Sequence, residues 1–197
     1  MLPIIPQLQI VREKSELFRK DEIRESVLSM PYEDGRVQRL LRKVWGGAAF
    51  RKSCADEMCL SVNGYTEGMP EDTFRVLSRH DGSYYISIDE NGIYVFSLCA
   101  AGLFYGIQTL RQIFESNAEV QCCEIIDYPD IEMRCAYLDL RQSFPRFENL
   151  IPYIEMMAEF KTNTLIIEYE DTFPFEKYSH LKNRKHAFTD EQLLLIL

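Results

Sequence analysis

After the run Asp127-Tyr128-Pro129-Asp130 the chain changes pattern, and strand, helix, strand and helix signals then follow one another in that order. Arg134–Leu140 reads as the first strand. Asn149–Phe160 reads as a helix with Pro152 tolerable in its first turn, and Asn163–Glu170 reads as the second strand. A long loop reaches Thr189, which forms a capping-box signature with Gln192 ahead of Leu193–Leu197. Strands joined through a helix run parallel, and parallel sheets need both faces covered and further strands alongside. The order therefore predicts the first units of a (β/α) barrel that this stretch leaves unfinished, with a domain boundary dividing residues 1–126 from 127–197.

Upstream, the signals are those of a sheet with packed helices. Ile4–Arg12 alternates loosely behind Pro3 and Pro6, which suits an edge strand, and a polar stretch follows. Between Gly35 and Trp45 the residues Val37, Leu40, Leu41, Val44 and Trp45 recur at helical spacing until Gly46-Gly47 stops them. Cys59–Val62 predicts a strand and Asn63-Gly64 a turn. Tyr84–Ile88 and Ile93–Phe96 predict a hairpin across Asp89-Glu90-Asn91-Gly92. Ser97 is placed to cap a helix over Leu98–Glu115. Inside it Gly102 and Gly106 lie four apart; each costs about 1 kcal/mol relative to alanine, so the pair implies close approach to a sheet or another backbone.

Composition narrows the function. With 22 basic and 31 acidic residues the formal charge is −9, against a nucleic-acid partner. No apolar stretch approaches the roughly 18–20 residues of a membrane helix, and the start lacks a signal-peptide pattern. The six cysteines (Cys54, Cys59, Cys99, Cys122, Cys123, Cys135) show no C-x-x-C pairing, and Cys99 and Cys135 sit in apolar segments. The expectation is buried free thiols in a reducing cytoplasm. His80, His180 and His186 are scattered, so no metal site or cofactor is expected.

Candidate chemistry gathers at the carboxyl ends of the two later strands. Asp139 and Arg141 share parity in the first, roughly 7 Å apart along it. In the second, Glu168 and Glu170 share one face and Tyr169 and Asp171 the other, ahead of Thr172-Phe173-Pro174-Phe175. Barrel active sites lie at this end, where the βα loops project. Arginine's fork suits adjacent hydroxyls or a carboxylate, and acids beside aromatics suit a polyhydroxylated ligand. Two readings of Asp139 and Arg141 stand side by side: sugar binding, and an ion pair that satisfies buried charge. No nucleophile with its base and no phosphate-binding glycine loop is present, so no residue is assigned a catalytic role.

Ala100-Ala101-Gly102-Leu103-Phe104-Tyr105-Gly106-Ile107-Gln108-Thr109-Leu110 resembles the helix that ends the accessory domain of family-twenty glycoside hydrolases, the β-N-acetylhexosaminidases. Asp127-Tyr128-Pro129 followed by Arg134-Cys135-Ala136-Tyr137-Leu138-Asp139 resembles the passage into their catalytic barrel. Ile167-Glu168-Tyr169-Glu170-Asp171-Thr172-Phe173-Pro174-Phe175 is similar to the hexosaminidase D branch, and Ile4–Val11 more weakly to the accessory domain's first strand. The resemblance implies an α/β protein: an accessory α+β domain followed by the first units of a truncated (β/α)8 TIM barrel. It implies removal of terminal N-acetylhexosamine by substrate-assisted, retaining hydrolysis, in which the sugar's acetamido group attacks the anomeric carbon. The family's acidic pair follows a later barrel strand; Asp21-Glu22, Asp56-Glu57, Asp89-Glu90 and Asp190-Glu191 all fall elsewhere. Arg141 stands two residues beyond Asp139, where the family's sugar-binding arginine usually stands three beyond. Arg141, Asp139, Glu168, Glu170 and Asp171 are thus the expected substrate-binding residues. The partner is an N-acetylhexosamine glycoside, and a homodimer through the incomplete barrel is allowed. A non-catalytic carbohydrate-binding or interaction module is the alternative.

Overall fold

The computed structural model describes residues 4–19, 59–62, 69–90, 92–115, 117, 119–141, 145–181 and 185–196. The helix expected over Gly35–Trp45, the Asn63-Gly64 turn and Asn91 lie outside the described residues. The chain divides into two compact units, Met1–Glu132 and Met133–Leu197.

In the first unit, β1 (Ile10–Arg19), β2 (Cys59–Val62), β3 (Tyr84–Asp89), β4 (Gly92–Ser97) and β5 (Glu119–Asp127) form one sheet in the order β1-β5-β3-β4-β2. Only the β2–β4 pair is parallel. The helices are α1 (Glu71–Leu77) and α2 (Ala100–Glu115). Alternation sends Tyr84, Ile86 and Ile88 of β3 and Ile93 and Val95 of β4 toward Leu103, Ile107 and Leu110 of α2. The opposite parity, Tyr85 and Phe96, packs with Ile126 and with Leu77 of α1. Both sheet faces are therefore apolar at the centre.

The two helix glycines do what their spacing demands. A Cβ on Gly102 would overlap the Ser83 carbonyl oxygen and Ser97 Oγ, and one on Gly106 would meet Val95 Cγ1 at 2.8 Å. Ser97 itself ends β4, and α2 begins at Ala100 rather than Leu98. Its hydroxyl donates to Ser83 O at 2.7 Å and accepts from Cys99 N at 3.1 Å, joining strand and helix start.

Two expectations change here. The first strand is not Ile4–Arg12 but Ile10–Arg19, an edge strand antiparallel to β5. At an edge, charged side chains remain in water on most positions, so the polar stretch carries the ladder while the proline-bearing start stays outside it. Glu119–Asp127, where sequence patterning assigns no strand, is an interior strand between β1 and β3.

Candidate functional site

The second unit is a strand–helix–strand element. β6 (Cys135–Asp139) and β7 (Thr164–Glu168) pair in parallel, from Cys135↔Thr164 to Asp139↔Glu168, with α3 (Phe147–Glu159) between them in sequence. Leu150, Tyr153, Ile154 and Met157 recur at helical spacing along α3. Leu150, Tyr153 and Ile154 cluster with Leu138 of β6 and Leu140 just after it, and with Ile167 of β7 and Tyr169 just after it. The helix starts two residues earlier than the sequence suggests, which places Pro152 in its interior instead of its first turn. It ends in a Schellman turn: Thr162 N donates to Met157 O at 3.0 Å and Lys161 N to Ala158 O at 3.0 Å. Lys161 takes the left-handed position with φ 60. Beyond it, α4 (Asp190–Ile196) carries the expected capping box: Thr189 N donates to Gln192 Oε1 at 2.9 Å and Gln192 N to Thr189 Oγ1 at 3.2 Å.

With Leu138 and Ile167 committed to the helix side, the period of two turns Tyr137, Asp139, Ile166 and Glu168 to the other face. Cys135 shares that parity and is exposed, which corrects the expectation of a buried thiol; Cys99 is half-buried, while Cys122 and Cys123 are buried.

At the carboxyl ends Asp139, Arg141 and Glu168 meet. Arg141 Nε lies 3.0 and 3.1 Å from the two Asp139 carboxylate oxygens, and Nη2 donates to Oδ2 at 2.7 Å. Its backbone N–H donates to Asp139 Oδ1 at 2.8 Å, and Nε lies 3.3 Å from Glu168 Oε1. Leu140 N donates to Glu168 O at 3.0 Å, carrying β6–β7 pairing one step further and fixing the level of Arg141 beside Glu168. In this chain the side chains of Arg141, Asp139 and Glu168 are 46%, 37% and 39% exposed. Hydrogen bonds from the guanidinium, then from the Arg141 backbone, hold the Asp139 carboxyl down to about 2. The guanidinium's own bonds to Asp139 raise Arg141, with the Asp139 charge and then the Glu170 charge adding to them.

Glu170 and Asp171 are placed differently from expectation. β7 ends at Glu168, and Glu170–Thr172 is a 3-10 turn in which Glu170 has φ 50. Strand parity stops applying at that point, so Glu168 and Glu170 do not share a strand face; Glu170 reaches Arg141 through its charge. Asp171 is exposed in the same turn. Tyr169 is held against Phe173 and Phe188 at ring-centroid distances of 5.3 and 6.0 Å. Among the described residues no cluster of His, Cys, Asp and Glu could hold a metal ion. No helix among them is long and apolar enough to cross a membrane.

The chain is similar to known glycosidases. The profile described as glycosyl hydrolase family 20, domain 2, matches residues 1–128. A β-hexosaminidase of Vibrio vulnificus is 28% identical over 87 residues, which is 44% of this chain and 10% of that protein. Hexosaminidase D of Bos taurus is 34% identical over 65 residues, 33% of this chain and 19% of that protein. The chain thus spans a small part of the length of the relatives it matches. The crystal structure of a β-N-acetylhexosaminidase from Bacteroides fragilis superposes with a TM-score of 0.72 at 20% identity, covering 96% of this chain and 39% of that one. That likeness supports the mixed α/β fold. With the profile covering residues 1–128 of 197, the chain belongs to glycosyl hydrolase family 20.

Proposed function

We propose that the chain is part of a β-N-acetylhexosaminidase-type glycosidase, with residues 1–126 as its accessory domain and 127–197 as the opening of its (β/α)8 catalytic barrel. The observation that carries the reading is the Asp139–Arg141–Glu168 cluster, open to solvent at the carboxyl ends of two parallel strands. Barrel enzymes place their substrates at this end. Two carboxylates fix the guanidinium before any ligand arrives, so its ordering adds little to the cost of binding. Arg141 then donates to a pair of sugar hydroxyls while Asp139 and Glu168 accept from neighbouring ones, and Glu170 and Asp171 border the ligand from the turn after β7.

In this reading the sugar's own acetamido oxygen is the nucleophile, and the general acid belongs to a part of the enzyme beyond these residues. A reducing, cytoplasmic setting belongs to the same reading. The test compares chromogenic substrates. A protein that joins this chain to a complete barrel hydrolyses the N-acetyl-β-glucosaminide and leaves the β-glucoside, which lacks the acetamido group, untouched. This chain by itself hydrolyses neither. Equal turnover of both substrates contradicts the reading. Sugar binding without turnover by the complete protein favours a non-catalytic carbohydrate-binding module instead.

A further inference from the structure

The segment after β7 is rich in rings: Tyr169, Phe173, Phe175 and Tyr178 fall within ten residues. The first three continue a chain of edge contacts that starts in the core of the second unit. Phe147 meets Phe188 at a centroid distance of 5.8 Å, and Phe188 meets Tyr169 at 6.0 Å. Tyr169 then meets Phe173 at 5.3 Å, and Phe173 meets Phe175 at 5.1 Å. The ring planes cross at 60° to 89° along this chain, so no neighbour lies flat on another. Exposure rises from the inner rings to the outer: Phe188 is 7% exposed and Phe173 37%. Phe173 is therefore open to solvent while its ring is anchored inward.

The backbone on both sides of Phe173 is tied as well. Thr172 is buried; its N–H donates to Tyr169 O at 2.9 Å, its hydroxyl donates to the same oxygen, and its carbonyl accepts from Phe188 N at 3.3 Å. Pro174 is buried, and Phe175 N donates to Phe173 O at 2.8 Å, closing a three-residue turn around the proline's fixed φ. A ring held this way has little freedom left to lose when a ligand covers it. Its place follows from the chain. Phe173 stands three residues past Glu170, at most about 10 Å of backbone, and Glu168, two residues before Glu170, lies 3.3 Å from Arg141 Nε through its Oε1. Tyr169, against which Phe173 packs, belongs to the helix-side cluster and not to the face of Glu168. Phe173 thus stands at the rim of the carboxyl end, beside the Asp139–Arg141–Glu168 cluster and not among its carboxylates.

A pyranose carries its hydroxyls around the edge and presents faces made of C–H groups, which the negative face of an aromatic ring attracts. A flat, rigid ring at the rim of a polar sugar site fits a second sugar, next to the one that the hydrogen bonds grip. Tyr178 is the weaker choice, because the Lys177 ammonium lies 5.6 Å from its ring centre. We propose that Phe173 is the platform for the sugar joined to the terminal N-acetylhexosamine, the one that departs when the glycosidic bond breaks, so that the substrates are saccharides of two or more rings in preference to simple alkyl glycosides. The inference rests on the glycosidase reading and adds to it the chemical class of the leaving group.

The test measures kcat/KM for methyl N-acetyl-β-glucosaminide and for N,N′-diacetylchitobiose in a protein that joins this chain to a complete barrel. Both substrates release an alcohol, so the ratio of the two values isolates the contribution of the second ring. The expected ratio favours the disaccharide by about tenfold, and Phe173→Ala lowers it by about fivefold or more. Phe173→Tyr keeps the ring and retains the ratio, whereas Phe173→Leu keeps apolar bulk without the flat face and loses it. Each ratio is taken within one protein, so a variant that folds in lower yield still reports on the platform. A ratio near one in the parent, or the parent's ratio preserved in both Phe173→Ala and Phe173→Leu, overturns the proposal while the methyl glycoside's hydrolysis upholds the glycosidase reading. Hydrolysis of neither substrate by the parent defeats that reading and the proposal with it.

Discussion

Gly102→Ala is the most informative single change in the first unit, because helix propensity and packing predict opposite signs. Propensity alone favours alanine in a helix interior by about 1 kcal/mol. The structure opposes it: the new methyl would overlap the Ser83 carbonyl, which is backbone, and Ser97 Oγ, which is locked by its bonds to Ser83 O and Cys99 N. Relief requires α2 to withdraw from the β3–β4 hairpin. Overpacking of this kind costs about 1–3 kcal/mol. Stranding the buried Ser83 carbonyl without its Ser97 donor costs about 1–3 kcal/mol more. The net expectation is a loss of about 1–5 kcal/mol, centred near 3. Gly106→Ala is the internal control, since its methyl meets side-chain atoms, Val95 Cγ1 at 2.8 Å and Tyr84 Cδ2 at 3.2 Å, that can yield by a few tenths of an ångström. Its loss should be the smaller, about 0–2 kcal/mol. Urea unfolding followed by circular dichroism reads both. A Gly102→Ala protein as stable as the parent, or more stable, would refute the close-approach argument.

Tyr84→Phe tests the buried network at the end of β5. Tyr84 Oη donates to Asp127 Oδ2 at 2.5 Å and bonds Thr109 Oγ1 at 2.5 Å, and burial with the Asp127 charge pushes the phenol well above its ordinary value. Losing the hydroxyl should cost about 1.5–3 kcal/mol in the same unfolding assay, and a loss below ~0.5 kcal/mol would show that Asp127 gains nothing from it. Lys161→Gly should be more stable than Lys161→Ala by about 1 kcal/mol, because both remove the side chain but only alanine keeps a Cβ at φ 60; equal midpoints would contradict the Schellman assignment. The Asp139 carboxyl, depressed to about 2, should stay ionised and paired from neutral pH until the pH falls toward that value. Its stabilising contribution is present above the unfolded value and lost as pH falls through the folded one. Carbon NMR should show this titration, with Arg141→Gln returning it toward the ordinary aspartate value of about 3.9; titration at that ordinary value in the parent would remove the ion pair.

Local rules written into few residues were the most legible. Thr189 and Gln192 specify their reciprocal cap by hydrogen-bond chemistry alone, and Gly102 and Gly106 announce close contact because nothing else repays their backbone entropy. The hairpin Tyr84–Phe96 was readable from its turn residues. What failed depended on neighbours. β1 is a strand although Arg12, Glu13, Lys14 and Glu16 look unsuited to one, because β5 supplies its ladder and water its outer side. β5 itself carries the near-continuous apolar run Val120, Cys122, Cys123, Ile125, Ile126 of an interior strand, a signal that the sequence does contain. At the site, the meeting of Asp139 with Arg141 followed from parity, but its extension to Glu170 did not. A left-handed residue just past the strand ends the alternation, and no composition rule marks where that occurs.

The most direct measurement of the central claim is the kcat/KM for a chromogenic N-acetyl-β-glucosaminide in a protein that joins this chain to a complete barrel, with and without Arg141→Ala. If Arg141 holds sugar hydroxyls in the transition state, kcat/KM falls by about tenfold to a hundredfold. An unchanged kcat/KM would mean that Asp139, Arg141 and Glu168 form a surface ion-pair cluster and that the substrate is held elsewhere.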